Sequence, residues 1–311
     1  MQKATALKTR RPLPAVTPSW RPRFELFAVL TILMTYGLIV LGGAVRATDS
    51  GTACPDWPLC HGQVLPRWDE HVLIEYSHRL LASIVGFLIF ALAVWAWRRR
   101  RGHRLVGLPA AAAIVLLIVQ VLVGAATVNT ETEASVVALH LSIALTLFAT
   151  LIVLAIASAR SGGATAGFPV LSVIVAGGAF ALIISGAYVS QEGAGLAYPD
   201  WPLFDGKLVS SGGKLGDLHY AHRLLAGVLG ALVLTLAFRT RGEVRRPVVV
   251  AVAVAVVLYT AQVLVGAANI WFELATSLRI SHLALASALW GVLVFAGAWS
   301  HLRPDTEGQP R

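Results

Sequence analysis

Ionisable side chains inside an otherwise apolar segment are the first sign of chemistry in this sequence. Residues 75–81 read Glu-Tyr-Ser-His-Arg-Leu-Leu, so that an acid, an imidazole and a guanidinium fall within about one helical turn. Such residues are costly in a membrane span and mark a candidate functional site. Residues 219–225 read His-Tyr-Ala-His-Arg-Leu-Leu, which repeats the pattern with His219 in place of Glu75. The sequence therefore predicts two related sites that differ in one acid.

Four histidines recur at one depth in the even-numbered apolar segments: His78, His140, His222 and His282. Two imidazoles on facing helices are the arrangement that axially ligates a heme iron. We pair His78 with His140 and His222 with His282, which predicts one heme site in each half of the chain. A single membrane histidine is more often a packing residue, but recurrence in both halves favours ligation. Isolated zinc and copper sites are less favoured because they usually collect three or four ligands.

The charged neighbours of these histidines allow two interpretations each. Arg79 and Arg223 follow the first ligand of their half, where they could pair with heme propionates or simply extend to the membrane interface. Glu75 precedes His78 by three residues and therefore shares its helix face. It could exchange protons beside a heme edge, or form a structural ion pair with Arg46 or Arg79.

The apolar runs define the architecture. The 311 residues are 57% hydrophobic and 13% charged, which predicts an integral membrane protein rather than a soluble one. A membrane helix needs about 20 apolar residues. Eight runs qualify, near residues 25–45, 73–96, 107–127, 135–157, 169–189, 217–238, 248–268 and 278–299.

The positive charges indicate topology rather than a nucleic-acid partner. The formal charge is +9, but the basic residues cluster before the first run and after the second and sixth, as in Arg98–Arg101. By the positive-inside rule, both termini are cytoplasmic and the loops near 46–72, 128–134, 190–216 and 269–277 are external. We expect a multi-pass protein of the cell membrane. Cys54 and Cys60 both lie in the first external loop, where we expect a disulfide rather than two free thiols.

An internal repeat divides the chain. With an offset of about 143, residues 42–44 align with 185–187, residues 55–59 with 199–203, residues 120–126 with 262–268, and His140 with His282. An even number of spans per unit makes the repeat parallel. The predicted fold is an all-α integral membrane protein whose eight transmembrane helices form two pseudo-symmetric four-helix bundles in parallel orientation. Glycines such as Gly124, Gly186 and Gly266 fit close helix packing.

The repeat also gives domain boundaries and exceptions. We expect a cytoplasmic tail at 1–24, an N-terminal bundle at 25–157, a cytoplasmic linker at 158–167, a C-terminal bundle at 168–300 and a second tail at 301–311. Cys54 and Cys60 align with Tyr198 and Phe204, and Arg46 aligns with Val189. The halves thus share a scaffold without sharing all of its chemistry.

These motifs resemble the membrane heme A synthases. The resemblance rests on residues 42–48, 50–51, 54–60 and 75–79, on the paired repeats and on the four histidines. It implies oxidation of the C8 methyl group of heme O to a formyl group. It also implies that His78 and His140 hold heme O as substrate, that His222 and His282 ligate a resident heme b, and that Glu75 is catalytic. Cys54 and Cys60 match the family's external cysteine pair, whereas a second pair found in some members is absent.

Three other functions fit the sequence less well. A non-enzymatic di-heme cytochrome b would use the same histidines, but Glu75 in only one half favours an active site. A transporter lacks support because no span is broken near the midplane, and a thiol oxidoreductase would need a second cysteine pair. The partners expected of the enzyme are heme O and heme A, membrane lipid, heme O synthase, oxidase assembly factors, an unidentified electron donor and a second copy of the chain in a homo-oligomer.

Overall fold

A computed structural model gives the fold and describes residues 21–64, 66–99, 103–130, 132–160, 170–210, 212–243 and 245–302. Among these residues, eight helices are long and apolar enough to cross a membrane, and no strand is formed. They are α1 (Arg21–Ala47), α2 (Glu70–Arg99), α3 (Arg104–Asn129), α4 (Ala134–Ala159), α5 (Val170–Gln191), α6 (Lys214–Arg239), α7 (Arg246–Trp271) and α8 (Thr276–His301). The predicted all-α membrane protein with eight spans is confirmed.

The helices extend the predicted spans by a few residues at most ends. Polar residues mark these extensions: α2 begins at Glu70 and ends at Arg98 and Arg99, and α6 begins at Lys214. Proline stands in the first turn of α7, where its missing N–H costs no helical hydrogen bond. The length and apolarity of the eight runs therefore account for the positions of the eight helices.

Helix neighbours follow the same order in the two halves. In the first half α1 packs on α2, α2 on α3, α3 on α4, and α4 returns to α1; in the second half α5, α6, α7 and α8 close in the same way. This neighbour order is what a four-helix bundle requires. The pseudo-symmetry of the two bundles and their domain boundaries stay predictions.

The two halves meet through α1, α4, α5 and α8. The indole Nε1 of Trp290 on α8 donates to the carbonyl oxygen of Leu145 on α4 over 3.1 Å. Tyr36 on α1 donates to the carbonyl oxygen of Ala284 on α8, also over 3.1 Å. A methyl group on Gly291 would come within 2.7 Å of the Phe148 ring, so glycine permits the close approach of α8 to α4.

The loops that precede α2 and α6 share a local fold. We call residues 48–69 the cysteine loop and residues 192–213 the aromatic loop. The carboxylate of Asp56 accepts hydrogen bonds from the backbone N–H groups of His61 and Gly62, and that of Asp200 accepts them from Asp205 and Gly206. Both loops contain a cis Trp-Pro peptide bond. The repeat seen in the sequence therefore includes loop geometry.

Several predicted segments fall outside the described residues. These are residues 1–20 of the N-terminal tail, 161–167 of the linker, 303–311 of the C-terminal tail and Arg100–Arg101 of the basic cluster after α2.

Candidate active site

Glu75 is buried on α2 with two hydrogen-bond donors around its carboxylate. Its side chain is 5% exposed, Oε2 accepts from the backbone N–H of Cys54 over 2.8 Å, and Oε1 accepts from Arg79 over 2.5 Å. Of the two ion-pair partners considered from the sequence, the structure places Arg79, not Arg46, on Glu75. A buried carboxylate needs such partners because burying a charge is costly unless the charge is paired and hydrogen-bonded.

Arg79 connects Glu75 to the cysteine loop. Its guanidinium donates to the carbonyl oxygens of Asp56 and Leu59 over 2.6 Å each and to that of Cys54 over 3.0 Å. Charge-assisted hydrogen bonds of this kind fix geometry more strongly than neutral ones. In this arrangement the guanidinium holds the loop over the end of α2. Its predicted pairing with a heme propionate stays a prediction.

Arg223 connects the aromatic loop to His219 on α6, as Arg79 connects the cysteine loop to Glu75. It donates to the carbonyl oxygens of Asp200 and Leu203 over 3.0 and 2.8 Å, and its Nε donates to Nε2 of His219 over 3.0 Å. His219 is 5% exposed and occupies the position of Glu75. The second half therefore keeps the arginine clamp and lacks the carboxylate.

Cys54 and Cys60 form a disulfide, as expected, and both residues are fully buried. Their counterparts Tyr198 and Phe204 form an edge-to-face pair with ring centroids 5.2 Å apart. The Tyr198 hydroxyl hydrogen-bonds to Ser210 Oγ over 2.5 Å. Aromatic packing thus takes the place of the missing second disulfide in the aromatic loop.

Each of the four histidines faces a glycine on the preceding odd-numbered helix. A methyl group on Gly42 would come within 3.1 Å of Cε1 of His78. The corresponding distances are 3.0 Å for Gly124 and His140, 2.9 Å for Gly186 and His222, and 3.1 Å for Gly266 and His282. The sequence favoured general helix packing as the role of such glycines. The structure gives them a more specific role, because each one makes room for an imidazole.

These contacts correct the repeat alignment by one residue in α1 and α5. The sequence comparison paired Gly42 with Ser185 and Arg46 with Val189. In the structure Gly42 and Gly186 occupy equivalent positions because each faces the first histidine of its half. The offset is therefore 144 here, so Leu41 corresponds to Ser185 and Arg46 to Ser190.

The ring nitrogens show that the imidazoles suit a metal in each half. Nε2 of His78, His222 and His282 makes no hydrogen bond to any described residue, while Nε2 of His140 lies 3.2 Å from Nε2 of Gln120. His78 and His140 are close enough to interact electrostatically, as are His222 and His282. A neutral imidazole with an available Nε2 is a common metal ligand. Each half therefore offers at least one imidazole whose Nε2 could bind a heme iron.

Gln120 is a functional candidate that the sequence argument left without a role. Its amide nitrogen reaches Nε2 of His140, whereas its counterpart Gln262 makes no such contact with His282 among the described residues. The signal was its place in the repeated segment 120–126, one helical turn before Gly124.

In the described residues, no three side chains of His, Cys, Asp or Glu form a group that could hold a metal ion.

The carboxylates of the two loop aspartates, Asp56 and Asp200, each accept backbone hydrogen bonds. The backbone N–H of Gly62, with that of His61, lowers the pKa of the Asp56 carboxyl below its ordinary value. The N–H groups of Gly206 and Asp205 lower the pKa of Asp200 in the same way. Hydrogen bonds to the ionised form favour that form, so both loops are organised around charged carboxylates.

Residues 25–294 match the COX15-CtaA family, described as cytochrome oxidase assembly protein. The chain belongs to this family. Among similar proteins, the heme A synthase of Alkalihalophilus pseudofirmus is 30% identical over 286 residues, which cover 88% of this chain and 96% of that protein. The heme A synthase of Shouchella clausii is 32% identical over 281 residues, 86% of this chain and 93% of its own. The heme A synthase of Symbiobacterium thermophilum is 32% identical over 278 residues, 83% of this chain and 89% of its own.

Membership in the COX15-CtaA family covers every element of the candidate site. The matched range includes all four histidines, Glu75, both arginine clamps and both loops. The resemblance found from the sequence motifs is therefore confirmed at the level of the family. The roles of the individual residues stay predictions.

Proposed function

We propose that this protein is a heme A synthase, an oxidoreductase that converts the C8 methyl group of heme O to the formyl group of heme A. The observation that carries the proposal is the asymmetry of the two histidine sites in a chain of this family. In both halves the two histidines lie against glycines and an arginine clamps the loop. Among the described residues, only the first half adds a buried carboxylate, that of Glu75. The family relatives named above favour the enzyme over a non-enzymatic di-heme cytochrome b.

The two halves are assigned different hemes. His78 and His140 would hold heme O as substrate, and His222 and His282 would hold a resident heme b. When bound, the hemes supply the redox chemistry, while the protein supplies placement and electrostatics. Glu75 supports this division because it lies one helical turn from His78, on the same helix face, and has no carboxylate counterpart in the second half.

Glu75 would hold or move a proton at the oxidised end of the substrate. The Cys54 N–H and Arg79 fix one donor on each carboxylate oxygen, so that the group keeps a defined direction. A carboxylate held in this way is suited to general acid–base work, which typically contributes 10²–10⁴-fold to a rate. The disulfide acts indirectly, because it constrains the loop that carries the Cys54 N–H.

The surroundings of the enzyme follow from the same assignment. We place it in the cell membrane as a multi-pass protein with both termini in the cytoplasm. The arginines at the ends of α2 and α6, including Arg98, Arg99 and Arg239, support that orientation. Its expected partners are heme O synthase, oxidase assembly factors, an electron donor and a further copy of the chain.

Co-expression with heme O synthase tests the proposal. We expect chromatography of extracted hemes to show heme A with the wild-type protein. His140→Ala should abolish heme A while leaving the heme b that His222 and His282 hold. Persistent heme O beside a redox-active heme b spectrum in the wild type would instead support a cytochrome.

A further inference from the structure

The four histidines differ at Nδ1, the ring nitrogen that stays free for other partners when Nε2 binds a metal. Nδ1 of His78, His140 and His282 is buried and has no hydrogen-bond partner among the described residues. Nδ1 of His222 lies 2.8 Å from Oγ of Ser185 on α5. One ligand candidate of the four is therefore held by a neighbouring side chain.

The direction of this hydrogen bond follows from the other contact of Ser185. Its hydroxyl also lies 2.8 Å from the carbonyl oxygen of Leu182, which can only accept. A serine hydroxyl has one proton and two lone pairs. Because that proton goes to Leu182, Ser185 accepts from an N–H on His222 Nδ1. The lone pair of His222 is thereby directed to Nε2, the nitrogen that has no described partner.

The corresponding positions in the rest of the chain cannot form this bond. Ser185 immediately precedes the glycine that faces His222, and the residues before the other three such glycines are Leu41, Val123 and Val265. None of these side chains has a polar atom. The position belongs to the scaffold that the two halves share, so the residue there distinguishes the histidine site of the second half from that of the first.

We propose that Ser185 is a positioning residue that makes the second half a permanent heme site, whereas Leu41 leaves the first half suited to exchange. This inference rests on the proposed assignment of His222 as a heme ligand. A hydrogen bond from the distal nitrogen fixes the ring and raises its basicity toward a metal. A more basic ligand stabilises ferric iron, which lowers the reduction potential. A site that must accept heme O and release heme A gains nothing from a tighter ligand.

The test is a potentiometric titration of the purified full-length protein, followed in the heme absorption bands. The component that disappears in His222→Ala identifies the heme of the second half. In Ser185→Ala we expect the ferric form of that component to be weakened roughly tenfold, at the low end of the effect of such partners. A tenfold selective loss corresponds to about 59 mV upward for a one-electron couple.

Three further variants separate positioning from folding. Ser185→Thr keeps the hydroxyl and should keep the wild-type potential, while Ser185→Cys keeps the size with a weak acceptor and should raise it. Ser281→Ala is the matched control, because Ser281 adjoins His282 and bonds only to the Ser277 carbonyl oxygen among described residues. An unchanged potential in both Ser185→Ala and Ser185→Cys, or an equal rise in Ser281→Ala, would overturn the inference while His222 remains a ligand. An unchanged heme spectrum in His222→Ala would overturn the ligand assignment itself.

Discussion

Glycine and histidine act as a unit at the residue scale. Each imidazole lies against the backbone of the neighbouring helix because glycine has no Cβ. A methyl group added at any of the four glycines would lie 2.9 to 3.1 Å from Cε1 of the imidazole. Contacts that short cannot be accommodated without moving the ring or the helix. Glycine, which has no side chain, therefore sets the position of the predicted histidine ligands.

Gly186→Ala tests this dependence in the second half. We expect the new methyl group to displace His222 and weaken the heme affinity of the second half about tenfold, as measured from the absorption component that His222→Ala removes. Gly177→Ala is the control, because nothing lies within 4 Å of its added methyl group on the same helix. Equal heme affinity in the two variants would refute the role of Gly186.

The sequence located the histidines but not their immediate partners. Recurrence at equal depth was enough to select His78, His140, His222 and His282, because few ionisable residues occur in the spans. The register of α1 against α5 was one residue off because Gly42 and Gly43 are both small. Only the contact with the ring distinguishes them. The Ser185 bond was likewise invisible, since serine in a span usually bonds to its own helix.

At the scale of elements, each arginine clamp joins a loop to the helix that carries the first histidine. Arg79 and Arg223 bond to equivalent carbonyl oxygens in the cysteine and aromatic loops. The sequence showed the repeated arginines and repeated Pro-Asp-Trp-Pro-Leu segments. It could not show that each arginine binds the loop segment of its own half, because the two lie 20 or more residues apart in the chain. Helix spans, in contrast, followed directly from hydropathy and length.

Arg79→Ala should release the cysteine loop. Three carbonyl oxygens and Glu75 lose their charged donor, so we expect faster hydrogen exchange of the amides at residues 54–60. Arg98→Ala at the opposite end of α2 removes the same charge without touching the loop. Exchange at residues 54–60 that is unchanged in Arg79→Ala would contradict the clamp.

Acid should loosen the same loop through Asp56. Its pKa is held below the ordinary value of about 3.9 by the Gly62 and His61 N–H groups. A depressed pKa means that the stabilisation is fully present above the ordinary value and is lost as the pH falls through the lowered one. We expect the protection of the Gly62 amide to follow this course, corrected for intrinsic exchange. Asp56→Asn should abolish the pH dependence, and protection that stays constant through the acid range would contradict the assignment.

The whole molecule combines duplication with divergence. The helix neighbours, the glycine-histidine contacts and the arginine clamps recur in both halves. The differences cluster around the histidines: a disulfide against an aromatic pair, Glu75 against His219, and Leu41 against Ser185. This pattern fits one half adapted to transform a bound heme and the other to retain one. The eight spans, and the positions of the four histidines on α2, α4, α6 and α8, were predictable from sequence, whereas the fine differences depended on side-chain contacts.

The heme content of Glu75→Gln, compared with Glu70→Gln, tests this account most directly. Glu70 is an exposed carboxylate in the first turn of the same helix. After co-expression with heme O synthase, Glu70→Gln should yield wild-type heme A. Glu75→Gln should retain heme O and heme b but lower the heme A yield by 10²-fold or more, within the range of a lost acid–base group. Wild-type heme A yield from Glu75→Gln would contradict the central claim that the carboxylate makes the first half the site of oxidation.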